Sequence, residues 1–170
     1  LLNQAALDHF AEFGFVVIAN VFDPEKDFQA LIKEYNGVLD TLSEQLHTEG
    51  KLTSTYPDLP LGKRFMQITS ETGEVHAQPF DISLPQADVS DITPIHCGGA
   101  IFNLLCHPKL LDLVEVFIGP EIYSNPVQHS RFKLPLATIP QGQWDGLTGT
   151  IGLHQDQGVG LPEADDSEIL

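Results

Sequence analysis

A long apolar period near the N-terminus constrains the fold of this chain most. Phe28, Leu31, Ile32, Tyr35, Val38, Leu39, Leu42 and Leu46 recur at i, i+3, i+4 and i+7 spacing. That pattern predicts an amphipathic α-helix with one apolar stripe and a wet opposite face. Asp23-Pro24 supplies a carboxylate cap and a proline at the first helical position, and Gly50 a terminator. A stripe of this length has to be covered, so the rest of the chain must present a sheet or a second helix to it.

The other segments alternate between helix and strand signals. Asn3 caps a short helix with Leu7, Phe10, Ala11 and Phe13 apolar, ended by Gly14. Phe15-Val16-Val17-Ile18 reads as a short buried strand. Residues 51–95 are interrupted by Pro57, Pro60, Pro79, Pro85 and Pro94, and within them Phe65-Met66-Gln67-Ile68 fits a short strand or a helical turn. Gly98-Gly99 precedes a helical stretch through Leu104, Leu105 and Cys106. Pro108 opens another, with Leu110, Leu111, Leu113, Val114, Phe117 and Ile118 apolar, closed by Gly119-Pro120. From Glu121 the pattern turns to β. Ile122-Tyr123-Ser124 is one short strand, and residues 127–134 alternate Val127, His129, Arg131 and Lys133 against Gln128, Ser130, Phe132 and Leu134. Residues 148–156 read as a further strand.

A chain of 170 residues, 42% hydrophobic and 19% charged, is expected to form one domain. Its net charge of −16 repels phosphate backbones and anionic lipid, so no nucleic-acid or membrane partner is expected. No apolar run approaches the roughly 18 residues a membrane-spanning helix needs. The longest, around residues 13–21, lacks the basic flank of a signal peptide. Cys97 and Cys106 fit neither a disulfide scaffold nor a zinc site, and are expected as free, partly buried thiols in a reducing cytoplasm.

The segment with the most chemistry is His154-Gln155-Asp156. On a strand, positions i and i+2 share a face, so the imidazole and the carboxylate can converge. An imidazole and a carboxylate are two thirds of the 2-His-1-carboxylate set that holds non-haem Fe(II) with open positions. A polar pair on a solvated strand would look the same in isolation.

The order of several segments gives this motif a context. Phe13-Gly14-Phe15-Val16-Val17-Ile18 leads to Asn20-Val21-Phe22-Asp23-Pro24-Glu25. His107-Pro108-Lys109-Leu110-Leu111-Asp112-Leu113-Val114 leads to Ile118-Gly119-Pro120-Glu121-Ile122. Arg131-Phe132-Lys133, a glycine-containing loop and Leu153-His154-Gln155-Asp156 follow. Across essentially the whole chain this resembles the phytanoyl-CoA dioxygenase family of Fe(II)/2-oxoglutarate oxygenases, which includes ectoine hydroxylase. The resemblance implies an α+β fold: N-terminal helices packed on a double-stranded β-helix (jelly-roll, cupin-like) core. It implies Fe(II) held by His154 and Asp156, with 2-oxoglutarate and O₂ as co-substrates and hydroxylation of an unactivated C–H bond of a small organic substrate. Asp156 stands where the family's halogenases carry a small residue, which favours hydroxylation.

The resemblance also implies a distal histidine and an arginine for the far carboxylate of 2-oxoglutarate. No histidine follows His154. The expectation is therefore that residues 1–170 are the N-terminal part of a single domain, with the C-terminal strands missing and no turnover by the chain alone. An inert fragment or a non-catalytic jelly-roll binding protein is the alternative.

Lys133 suits a carboxylate of 2-oxoglutarate as a point charge, and Gln128 could serve as an amide donor. Strand alternation puts them on opposite faces, with Arg131 sharing the Lys133 face. Each could equally be an ordinary strand side chain. His129 is read as a strand residue with an ordinary hydrogen bond rather than as a third ligand. His9, His47, His76, His96 and His107 are scattered without metal-ligand spacing. Trp144 either lines the substrate mouth or anchors packing. The loops at 51–95 and 135–147 are the expected specificity elements.

Overall fold

The computed structural model describes residues 2–85, 88–124 and 128–140. His154, Asp156, Trp144 and the strand expected at 148–156 lie outside the described residues.

The expected helices form, with caps supplied as the sequence indicates. Helix α1 spans Gln4–Phe13; the Asn3 side chain accepts from the Ala6 amide at 3.0 Å, and Gly14 ends the helix in the left-handed conformation. Asp23 caps α2, Pro24–Asp27, by accepting from the Glu25 amide at 3.1 Å. The apolar period then becomes α3, Gln29–Thr48, which buries Tyr35, Leu39, Ser43 and Leu46. Phe28 separates α2 from α3, so the continuous helix expected from Asp23 onward is broken there. Gly50, at φ 72°, closes α3 with its amide bound to the His47 carbonyl at 3.0 Å.

Helix α4, Leu61–Thr72, occupies the segment where only a short strand or a turn was expected. Phe65 and Ile68 go into the core beside Arg64, which is only 3% exposed. The guanidinium is satisfied on every side: it donates to the Thr55 carbonyl at 2.8 Å, to Ser43 Oγ at 2.8 Å and to the Asp40 carboxylate. Two further helices, α5 (Gly99–Leu105) and α6 (Pro108–Ile118), follow the sequence expectation. Short 3₁₀ turns cover Gln78–Phe80 and Leu136–Thr138.

The core lies between α3 and α4. Tyr35, Leu39, Leu46, Leu52, Phe65, Ile68 and Phe80 form it, with Phe132 and Leu134 packed against it. Phe132 stacks on Phe65 at 4.7 Å between ring centroids and meets Phe80 edge-on at 4.9 Å. Such pairs add to the area they bury because each ring sets its electron-poor edge or offset face on its neighbour.

The expected α+β architecture with a jelly-roll core is not what the described residues form. They hold six α-helices and two 3₁₀ turns, and no strand. The reason is visible at 128–134. Phe132 and Leu134 are drawn inward while Arg131 and Lys133 are exposed, so the period of two is present. The inward side chains, however, pack against a helical core, and among the described residues no strand pairs with the segment's backbone. Alternation records which face is covered, not what covers it. The same applies to 15–18, where Phe15 is 56% and Val17 is 86% exposed instead of buried.

Candidate functional site

Two carboxylate–imidazole pairs and one cavity gather where α3, α5 and the 128–134 segment meet. The first pair begins with Glu34, which precedes Tyr35 on the flank of the α3 stripe. Its carboxylate accepts from His96 Nε2 at 2.9 Å, from the Ala100 amide at 2.7 Å and from the Ile101 amide at 3.2 Å. Those amides open α5, whose N-cap residue, Gly98, has no side chain to serve them. Glu34 thus caps α5 from another helix, and its negative charge suits that end of the helix dipole. Burial pushes the Glu34 carboxyl up, but the Ala100 amide, the His96 imidazole and the Ile101 amide outweigh it and hold its pKa below the ordinary 4.5. Gly98 is required by this approach: a Cβ there would collide with the Glu34 carboxylate and with His96 Nε2.

Beside this pair lies an open cavity of about 520 Å³. Ile82 and the α5 residues Ile101, Phe102 and Leu105 make its apolar walls, and His96, Ser124 and Gln128 its polar groups. Gln128 Nε2 donates to Ser124 Oγ at 2.7 Å, which holds the amide at the cavity edge. Cys97 also lines it, and both Cys97 and Cys106 are exposed rather than partly buried as expected.

The second pair sits deeper. Asp81 is 1% exposed. Its Oδ2 lies 2.7 Å from His129 Nδ1, and its Oδ1 accepts the Ser130 amide at 2.9 Å. Ser130 Oγ is 2.7 Å from the Tyr35 hydroxyl, which also donates to the Phe80 carbonyl at 3.3 Å. Burial pushes the Tyr35 phenol pKa up from 10.0, so it stays protonated. A carboxylate only accepts, so Nδ1 of His129 carries the proton in this contact.

Of the residues expected to act, Gln128 lines the cavity and Lys133 is exposed. Among the described residues no group of three or more His, Cys, Asp or Glu is placed to hold a metal ion, and none of their helices is long and apolar enough to cross a membrane.

No family model, no curated protein and no solved structure matches this chain.

Sequence reasoning missed Glu34, His96 and the Asp81 partnership of His129. One signal was available for Glu34. It falls three residues after Leu31 and one before Tyr35, where a carboxylate is half-covered and needs partners. Gly98-Gly99 was a second signal, since adjacent glycines allow a close approach. Nothing local marked Asp81, because its partners are 48 and 49 residues away.

Proposed function

We propose that this chain carries the iron-binding segment of an Fe(II)- and 2-oxoglutarate-dependent oxygenase that hydroxylates a C–H bond of a small organic substrate. The observation that supports the reading is His154-Gln155-Asp156 at the end of an ordered set of family-like segments. Imidazole nitrogen and carboxylate oxygen are donors that Fe(II) accepts while keeping positions open.

Iron, when bound, supplies the activation of O₂. The balanced reaction converts R–H, O₂ and 2-oxoglutarate into R–OH, succinate and CO₂. The chain's own part is to bind and orient. Gln128, held by Ser124 at the cavity edge, offers an amide to a carboxylate or carbonyl. Lys133 offers a point charge for a carboxylate, and Trp144 is assigned to the substrate mouth. The apolar walls at Ile82, Ile101, Phe102 and Leu105 exclude water from an apolar ligand. The reading places the protein in a reducing cytoplasm, where Cys97 and Cys106 stay thiols.

A non-catalytic binding domain is the second reading, favoured by the cavity itself, whose size and apolar lining suit a small ligand without any metal. Succinate formation separates the two. The oxygenase reading expects 2-oxoglutarate-dependent succinate release by the protein that contains this chain, abolished by His154→Ala and by Asp156→Ala. Ligand binding with no succinate under any condition would favour the second reading.

A further inference from the structure

Asp81 and Glu34 hold together the walls of the cavity of about 520 Å³, which come from stretches of chain far apart in sequence. Asp81 is 1% exposed and precedes the wall residue Ile82. Its carbonyl accepts the His96 amide at 2.7 Å. Its carboxylate accepts the Ser130 amide at 2.9 Å and meets His129 Nδ1 at 2.7 Å, next to Gln128. Glu34 fastens the start of α5 through the Ala100 and Ile101 amides, and holds His96 through Nε2. Gln78 Nε2 laces the same region by donating to the Ser83 carbonyl at 3.0 Å and to the Pro94 carbonyl at 3.1 Å. Burying a carboxylate is costly unless it is bonded, and here the bonds all fix segments around one hollow. A cavity held in this way is largely pre-formed, as small-molecule sites are, and its volume falls in their range of roughly 300–1,000 Å³.

The lining selects by charge. Ile82, Ile101, Phe102 and Leu105 are apolar. The basic side chains of the chain are Lys26, Lys33, Lys51, Lys63, Arg64, Lys109, Arg131 and Lys133. All of them are among the described residues, and none lines the cavity. His96 is bound to the Glu34 carboxylate, so its charge when protonated is already matched. An anion would lose its hydration here without gaining a counter-charge, and the net charge of −16 repels it further. A cation meets no carboxylate among the described wall residues, and Glu34 behind them already accepts from three donors. A neutral polar group is provided for. Gln128 Nε2 donates to Ser124 Oγ at 2.7 Å, which orients the amide, and a primary amide has a second N–H and an oxygen with which to meet a ligand.

We propose that the cavity is a binding site for an uncharged small molecule with an apolar body and a carbonyl or hydroxyl oxygen, the body against Ile101, Phe102 and Leu105 and the oxygen on the Gln128 amide. That this occupant is also the molecule hydroxylated rests on the oxygenase reading; Gln128 then serves the substrate, and dianionic 2-oxoglutarate binds elsewhere.

The test is calorimetric titration of the protein that contains this chain, without added metal, with three probes of one skeleton: phenylbutyramide, phenylbutyrate and phenylbutylamine. At neutral pH the last two are an anion and a cation. The amide is expected to bind at least about 10-fold more tightly than either ion, because the ions must shed hydration. Gln128→Leu is expected to weaken amide binding by about 3–10-fold, the size of one neutral hydrogen bond. Phe102→Lys, at a position 63% exposed, puts a cation on the wall and is expected to make phenylbutyrate the tightest of the three. Far-ultraviolet circular dichroism matching wild type shows that both variants keep their helices. Either ion binding wild type as tightly as the amide, an unchanged amide affinity in Gln128→Leu, an unchanged order in Phe102→Lys, or no binding of any probe overturns the inference. No iron and no turnover enter the readout, so such a failure leaves the oxygenase reading standing, and an absence of succinate leaves this site standing.

Discussion

Asp81 Oδ2 and His129 Nδ1 lie 2.7 Å apart, joining residues 48 positions distant in the chain. With the Ser130 amide on the other carboxylate oxygen, this contact ties the last described segment to the turn after Phe80. It fixes the imidazole of His129 through Nδ1 and links the helical core to the segment that carries Gln128 at the cavity edge.

Phe132→Ala should remove the ring that stacks on Phe65 and abuts Phe80 and Tyr35. The expected loss is about 3 kcal/mol, the low end for truncating a core phenylalanine, read from urea denaturation. A loss within the noise of a surface substitution would mean that 128–134 does not dock on the helices.

Gly98→Ala is expected to destabilise although φ at Gly98, −87°, suits any residue. The added methyl meets the Glu34 carboxylate, which is the end of a flexible side chain, but moving it breaks its bonds to Ala100, Ile101 and His96. The expected cost is about 1–3 kcal/mol, typical of overpacking. In a Glu34→Ala background the same substitution should cost much less, because the obstacle and its bonds are gone. Additive effects in that double-mutant cycle would refute the close approach.

These two positions show what the sequence made legible. The caps at Asn3 and Asp23, the α3 stripe and the Gly50 terminator are local features, carried by residues within a few positions of one another. Helix α4 was obscured because Arg64 stands on its buried face. A charged residue there breaks the apolar period, and only Thr55, Asp40 and Ser43 explain its burial. The strand pattern at 128–134 was real as an alternation and misleading as an architecture. The partners of Glu34 and of His129 lie 48 to 67 residues away, beyond the reach of any local pattern.

Glu34 should make stability acid-sensitive. Its carboxyl pKa is held below the ordinary 4.5 by the Ala100 amide, His96 and the Ile101 amide, against burial. A depressed carboxyl contributes stability that is complete above its unfolded value and is lost as pH falls through its folded value. Unfolding free energy should therefore fall below about pH 4.5, and Glu34→Gln should flatten that part of the profile. Removing the charge should also cost about 1–3 kcal/mol at neutral pH, because amide hydrogen bonds to a charged acceptor are lost. Identical acid limbs for wild type and variant would exclude the assignment.

His76 should add a second window at higher pH. Burial holds its imidazole below the ordinary 6.5, so the unfolded chain takes up a proton before the folded one does. Its contribution is complete above about 6.5 and declines as pH falls toward its folded value. His76→Gln should remove that decline. The measurement is the denaturation midpoint between pH 7.5 and pH 5, where a variant that tracks wild type would count against it.

The central proposal is that the chain carries the iron-binding segment of a 2-oxoglutarate-dependent oxygenase, and it can be tested on the protein that contains this chain without knowing the substrate. Fe(II) and 2-oxoglutarate are added anaerobically to the protein, and the visible spectrum is recorded. The account predicts a charge-transfer band that requires both additions and is lost in Asp156→Ala and His154→Ala. No band in the wild-type protein, or an unchanged band in both variants, would contradict it.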